Sequence, residues 1–129
     1  MLMLDTNVCS YLILEKEPWI SSFDASSEDL GISSVVAMEL HRWANTPGIS
    51  DALRECITTF LNAVPVFPFD SEAALSSSRV LNGLMAKSIA IGAYDPLIAG
   101  HAISTASTLV TNNQKDFRHV AGLSYKTQI

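Results

Sequence analysis

Met1-Leu2-Met3-Leu4-Asp5-Thr6-Asn7 decides the fold: a short apolar run stops abruptly at an acidic, polar triplet. Such a run reads as a strand buried on both faces, with Asp5-Thr6-Asn7 as the turn into a helix reaching about Leu14. Working outward, the same grammar recurs. Pro18 sits where a first helical turn tolerates proline and opens PWISSFDAS. Leu30-Gly31-Ile32 is a second buried strand, and Ser33 or Ser34 caps the helix VVAMELHRWA, which stops near Pro47. Ile49–Ala63 reads as an amphipathic helix and Val66-Phe67 as a short strand between prolines. Asp70 caps a long helix to about Ser88. Asp95-Pro96 reads as an N-cap followed by proline at the first helical position, opening LIAGHAISTA. Thr108–Thr111 is a fourth strand, Asn112–Lys115 a polar loop, and Tyr125 lies on a final edge strand. Strands alternating with helices predict an α/β fold with a mainly parallel central sheet of four to five strands. With no repeat, linker or low-complexity segment, residues 1–129 are expected to form a single domain.

Composition narrows the class. Apolar residues make up 48% of the chain and charged residues 16%, which is globular rather than disordered. The apolar region Ile89–Val110 is interrupted by Asp95, Pro96 and His101, against a membrane span. The amino terminus lacks a basic leader region and carries Asp5 inside its apolar run, so a cytoplasmic location is expected. Cys9 and Cys56 form no paired motif and are expected to be two buried thiols. The net charge of −5 counts against nucleic-acid binding unless acids cluster around metal ions and the cations gather at one rim. Candidates for that rim are Arg42, Arg79, Lys87, Lys115 and Arg118.

Asp5 falls at the carboxyl end of the first strand, Asp95 starts a helix after a loop and Asp116 follows the loop after the fourth strand, so these segments can converge at the strands' carboxyl ends, where open α/β sheets collect their ligand sites. Glu39 lies inside a helix, bordering an apolar face with Val35, Arg42 and Trp43. Four carboxylates brought together repel one another, and Mg²⁺ or Mn²⁺, hard cations preferring carboxylate and water oxygens, relieves that repulsion. A bound divalent ion activates water and stabilises charge on a phosphodiester. The plainer alternative stays open: the aspartates as caps and turn formers, and Glu39 pairing with Arg42.

Four segments taken together, MLMLDTN, ISSVVAMEL, IGAYDPLIAGHA and TLVTNNQKDFRHVAGL, occur in the order found in VapC-type PIN-domain toxins, and the whole chain resembles that family. The resemblance implies an α/β/α sandwich and an Mg²⁺- or Mn²⁺-dependent endoribonuclease acting on structured RNA, often tRNA. It implies a VapB-like antitoxin that blocks the site, and a homodimer. Carried over by position, Asp5, Glu39, Asp95 and Asp116 match the metal-binding acids. Relatives vary at the last of these, some placing an aspartate where Asn113 stands. Thr6, Asn7, Thr111 and Asn113 look like groups that orient carboxylates or water, with turn hydrogen bonding as the alternative. Lys115 and Arg118 are candidates for RNA phosphate contact. His41, His101 and His119 are discounted as general bases, and His101 is expected to be packed in its helix. Trp19, Ile20 and Phe23 form an apolar stripe, part core and part antitoxin or dimer surface by analogy. Two other readings remain. One is a PIN-like module that binds without catalysis. The other is a haloacid-dehalogenase-type phosphatase, since a strand ending in DTNV resembles that family's first motif, although Asn7 replaces its second aspartate.

Overall fold

The computed structural model describes residues 1–26 and 28–129. Five strands form one sheet in the order β3-β2-β1-β4-β5, every neighbouring pair parallel. β1 is Leu2–Leu4, β2 Leu30–Ser33, β3 Val66–Phe67, β4 Thr108–Val110 and β5 Tyr125–Lys126. β1 occupies the centre because each of its residues is apolar and none reaches water, as a strand covered on both faces requires. Its register sets Leu2 beside Leu30 on one side and Leu4 beside Val110 on the other.

Among the described residues, seven helices flank the sheet: α1 (Thr6–Ile13), α2 (Trp19–Ala25), α3 (Ser34–Ala44), α4 (Asp51–Ala63), α5 (Ser71–Ala86), α6 (Asp95–Ser104) and α7 (Gln114–Phe117). The first four pack among themselves and α5 packs on α6, which gives the expected sandwich. The α5–α6 approach is close because Gly100 has no side chain: a Cβ there would run into Ser77, with its backbone nitrogen and Cα only 2.5 Å away. Two predicted caps recur in the structure: Ser33 Oγ accepts from Val35 N–H at 3.1 Å and Asp70 from Ala73 N–H at 2.9 Å, and Ser50, for which no role was expected, caps α4 by accepting from Leu53 N–H at 3.1 Å.

The structure departs from the sequence reading in three places. Cys9 is buried but Cys56 is exposed, because α4 buries only Ile57 and Cys56 lies one position off that stripe. The polar run after β4 is not all loop: Gln114–Phe117 winds into α7, drawn down by the fully buried Phe117. Asp95 is the first residue of α6 rather than its cap; that position falls to Tyr94, and no side chain caps it. The apolar stripe on α2 is mostly core, since Trp19 is buried and stacks on Tyr11 with ring centroids 5.8 Å apart. No helix among the described residues is long and apolar enough to cross a membrane.

Candidate active site

The chain turns from the β2 side of the sheet to the β4 side at β1, and a crevice opens at such a switch point above the strands' carboxyl ends. Asp5 stands there, directly after β1, and Thr111 stands beside it, directly after β4. Asp5 is buried and caps α1, its Oδ1 accepting from Val8 N–H at 2.9 Å. The capping role expected of an ordinary loop aspartate and a place in the site are therefore held by one carboxylate. Burial raises its pKa and the nearby Glu39 charge adds to the rise. The Thr111 hydroxyl, together with the backbone N–H groups of Val8 and Asn7, opposes it.

Glu39 comes in from α3 and does not take Arg42 as its partner. Its Oε1 accepts from the Thr6 hydroxyl at 2.7 Å, which ties α3 to the start of α1. Asp95 enters from the first turn of α6. Its carboxyl is pushed up to about 6, first by burial and then by the charges of Asp5, Glu39 and Asp116, while the Asn113 side chain acts in the other direction. Asp5, Glu39 and Asp95 line one cavity of about 160 Å³ with Thr6, Asn7 and Asn113. Asp116 stays at the edge: it is close enough to act on Asp95, but its Oδ2 accepts from Asn113 Nδ2 at 3.0 Å and it does not line the cavity. At the position where sequence left a choice between the two residues, Asn113 faces the cavity and holds Asp116 behind it. Thr111, fully buried, has its hydroxyl accept from Asn113 N–H at 2.8 Å, so one side chain braces both Asp5 and the α7 loop.

The histidines fall outside this arrangement. His101 is buried, with Nδ1 2.7 Å from the Ser33 hydroxyl and the Phe69 ring edge-on to it. Burial lowers its pKa against the opposing charge of Asp70. It is a core histidine, as its helical surroundings suggested.

Gly92 is a residue that sequence reasoning treated only as part of a loop. Its carbonyl accepts from Asp95 N–H at 3.1 Å, and a Cβ in its place would stand 2.8 Å from Asp95 Oδ2. Only the absence of a side chain lets that carboxylate lean back over the turn. Because the obstructing atom is the tip of a movable side chain, Gly92→Ala is expected to leave the melting temperature within about 2 °C. The displaced carboxylate is expected to weaken Mn²⁺ binding by about tenfold in calorimetry. An unchanged affinity would show that the carboxylate's position is not critical.

The raised carboxyl of Asp95 also fixes the sign of a pH effect. Between its usual value of 3.8 and about 6, the folded protein holds a proton that the unfolded chain has lost. Its contribution to stability is therefore greatest below about pH 4 and is lost as pH rises through 6. At this half-exposed position the loss is on the order of 1 kcal/mol after allowance for solvent screening. Melting of metal-free protein at pH 5 and pH 7.5 measures it, and the difference should shrink in Asp95→Asn.

The sequence model of the PIN domain family matches residues 2–123. The chain belongs to the PIN-domain family. This PIN domain is 32% identical over 122 residues to the tRNA(fMet)-specific endonuclease VapC of Salmonella typhimurium, an alignment covering 94% of this chain and 92% of the relative. It is 32% identical over 125 residues to Ribonuclease VapC2 of Rickettsia felis, with the same coverage of 94% and 92%. Among solved structures it superposes on VapBC2 from Rickettsia felis bound to a promoter DNA fragment, with a TM-score of 0.88 and 29% identity over 97% of this chain and 96% of that one. DNA-bound VapBC from Salmonella typhimurium gives a TM-score of 0.88 and 31% identity with the same coverage. PIN-family membership replaces the dehalogenase-type reading of DTNV.

Proposed function

We propose that this PIN domain is a metal-dependent endoribonuclease, the toxin of a toxin–antitoxin pair, which cuts structured RNA, with tRNA as its first candidate substrate. One observation carries the reading: three carboxylates from separate elements share a small cavity at the switch point, where burial first and then the charges of its neighbours hold Asp95 up to about 6. That is uncompensated negative charge that a cation would relieve, and an all-oxygen donor set suits Mg²⁺ or Mn²⁺. Among the described residues no group of three or more acidic, histidine or cysteine side chains closes into a ready-made metal cage. Mg²⁺ keeps several waters and is commonly bound by one or two carboxylates plus substrate phosphate, so it does not need the protein to close around it.

Asp5, Glu39 and Asp95 would hold the ion, with Asp116 contributing from the edge. When bound, the ion supplies an activated water and charge stabilisation for in-line displacement at phosphorus. The protein's own part is orientation. Thr6 holds Glu39, Thr111 and the α1 amides hold Asp5, and Asn113 spaces Asp116 from Asp95. The relatives' names support RNA as substrate, and the VapBC complexes support a VapB-like antitoxin as partner; a cytoplasmic setting is proposed with that reading. A homodimer built from single-domain protomers completes the proposal.

Purified, antitoxin-free protein incubated with total tRNA and rRNA tests it, with Mg²⁺ or Mn²⁺ and with EDTA. Cuts at a few sites, abolished by EDTA, are expected. Intact RNA in the presence of either metal would point instead to a PIN-like module that binds without cutting.

A further inference from the structure

The chain carries 13 acids against 8 lysines and arginines, so an RNA-binding face has to be assembled from few cations. Three of these are engaged elsewhere. Arg54 pairs with Asp51 at 3.0 Å and Lys126 with Glu28 at 3.2 Å, while Lys16 Nζ lies 5.9 Å from the centre of the Tyr11 ring. Of the remaining five, Arg42 is alone on α3. The other four, Arg79, Lys87, Lys115 and Arg118, belong to α5 and to α7 with its flanking residues.

A groove of about 260 Å³ runs between those elements, floored by Val80, Leu84 and Ile103 and edged by Arg79, Lys87 and His119. No carboxylate lines it. That sets it apart from the concavity between α1 and α4, which holds Glu15 and Glu55 and no cation, and from the acidic cavity itself. It is also joined to the acidic cavity through α7. Asn113 lines the cavity and opens α7, Lys115 and Arg118 follow, and His119 N–H donates to Asp116 O at 3.2 Å. Lys87 Nζ then donates to His119 O at 3.0 Å, which fixes α5 to the end of α7. Between Asn113 and His119, α7 itself, four residues long, accounts for only about 6 Å of rise.

We propose that this groove, with Lys115 and Arg118 on its approach, is where the RNA sugar–phosphate backbone docks before it enters the acidic cavity. The inference rests on the nuclease reading and names the surface that delivers the substrate to that site. Cations set beside the cavity, rather than within it, attract phosphate without competing with the carboxylates for a metal ion. They also give a net-acidic protein a local positive face.

The test combines binding and cleavage. RNA affinity is measured against salt with Asp95→Asn protein, with and without Arg79→Gln plus Lys87→Gln. Cleavage kinetics are measured with the same pair of substitutions in the otherwise native chain. Each lost phosphate contact should flatten the slope of log affinity against log salt by about 0.7–0.9, so the pair should remove about 1.5. In cleavage, KM should rise about tenfold with kcat within about twofold. Lys16→Gln, beyond the far end of α1, should leave the slope unchanged. A slope equal to the parent's would overturn the inference even with cleavage intact, which leaves the nuclease reading standing. Binding that depends on Arg79 and Lys87 without any cutting would uphold the groove and refute the nuclease. A change in sedimentation with no change in salt slope would assign the groove to a second copy of the chain instead.

Discussion

Asp95→Asn is expected to lower metal-dependent RNA cleavage by about a hundredfold or more and, in metal-free protein at pH 7.5, to raise the melting temperature by a few degrees. The two effects have one origin. Burial makes Asp95 hard to ionise, and repulsion from Asp5, Glu39 and Asp116 adds to the difficulty. Replacing the carboxylate with an amide of the same shape removes that repulsion and so relaxes the folded state. It also removes an oxygen that a divalent ion needs. Adding Mn²⁺ to the wild-type protein should raise its melting temperature, since a ligand that binds only the folded state stabilises it by about 2.7 kcal/mol at a hundredfold excess over Kd. The variant should lose most of that response. Cleavage at the wild-type rate by Asp95→Asn would remove the carboxylate from the mechanism. A fall in metal-free stability would show that Asp95 holds the fold together instead.

Phe117→Ala is expected to cost about 3–5 kcal/mol of folding stability, read as a fall of roughly 10 °C or more in melting temperature. Phe117 is fully buried although it belongs to a helix of four residues at the rim of the site. Its ring is what keeps so short a helix in place, because one turn has almost no stability of its own. The loss should spread to function, since Asn113 and Asp116 at the two ends of that turn are joined by the 3.0 Å hydrogen bond beside Asp95. Phe117→Leu, which refills most of the space, should recover most of the stability and cleavage. If Phe117→Ala melted within about 2 °C of wild type, the anchoring role would be wrong.

How much of this was legible beforehand depended on what each residue's neighbours are in sequence. Buried strands announce themselves locally, and the runs at Leu2–Leu4, Leu30–Ser33 and Thr108–Val110 stood close to where they were expected. Caps are local too, so Ser33 and Asp70 followed from their positions before helices. What was missed or left open depended on partners distant in the chain. Sequence left Glu39 between the acidic site and a plain pairing with Arg42 one helical turn away, and the hydrogen bond from Thr6, 33 residues earlier, is what separates the two. The α7 turn was hidden because its helical state depends on burying one phenylalanine rather than on propensity. Gly92 read as an ordinary loop residue, because its role is to leave room for a side chain three residues on. The choice between Asn113 and Asp116 also needed three dimensions: both are polar and three residues apart, and only their orientation separates the one facing the cavity from the one behind it.

On the proposed toxin reading, the place of β1 at the centre of the sheet bears on when the protein becomes dangerous to the cell that makes it. The first strand translated is finished only when it pairs with the fourth, Leu4 against Val110. At about 5–20 residues per second, that partner arrives roughly 5–20 s later. Until then Asp5 has neither Thr111 to hold it nor the full set of facing carboxylates, so a nascent chain carries no assembled site. A polypeptide truncated before Thr108 should be harmless as well as unfolded, and an inhibitor made alongside the full chain has most of the synthesis time to be ready.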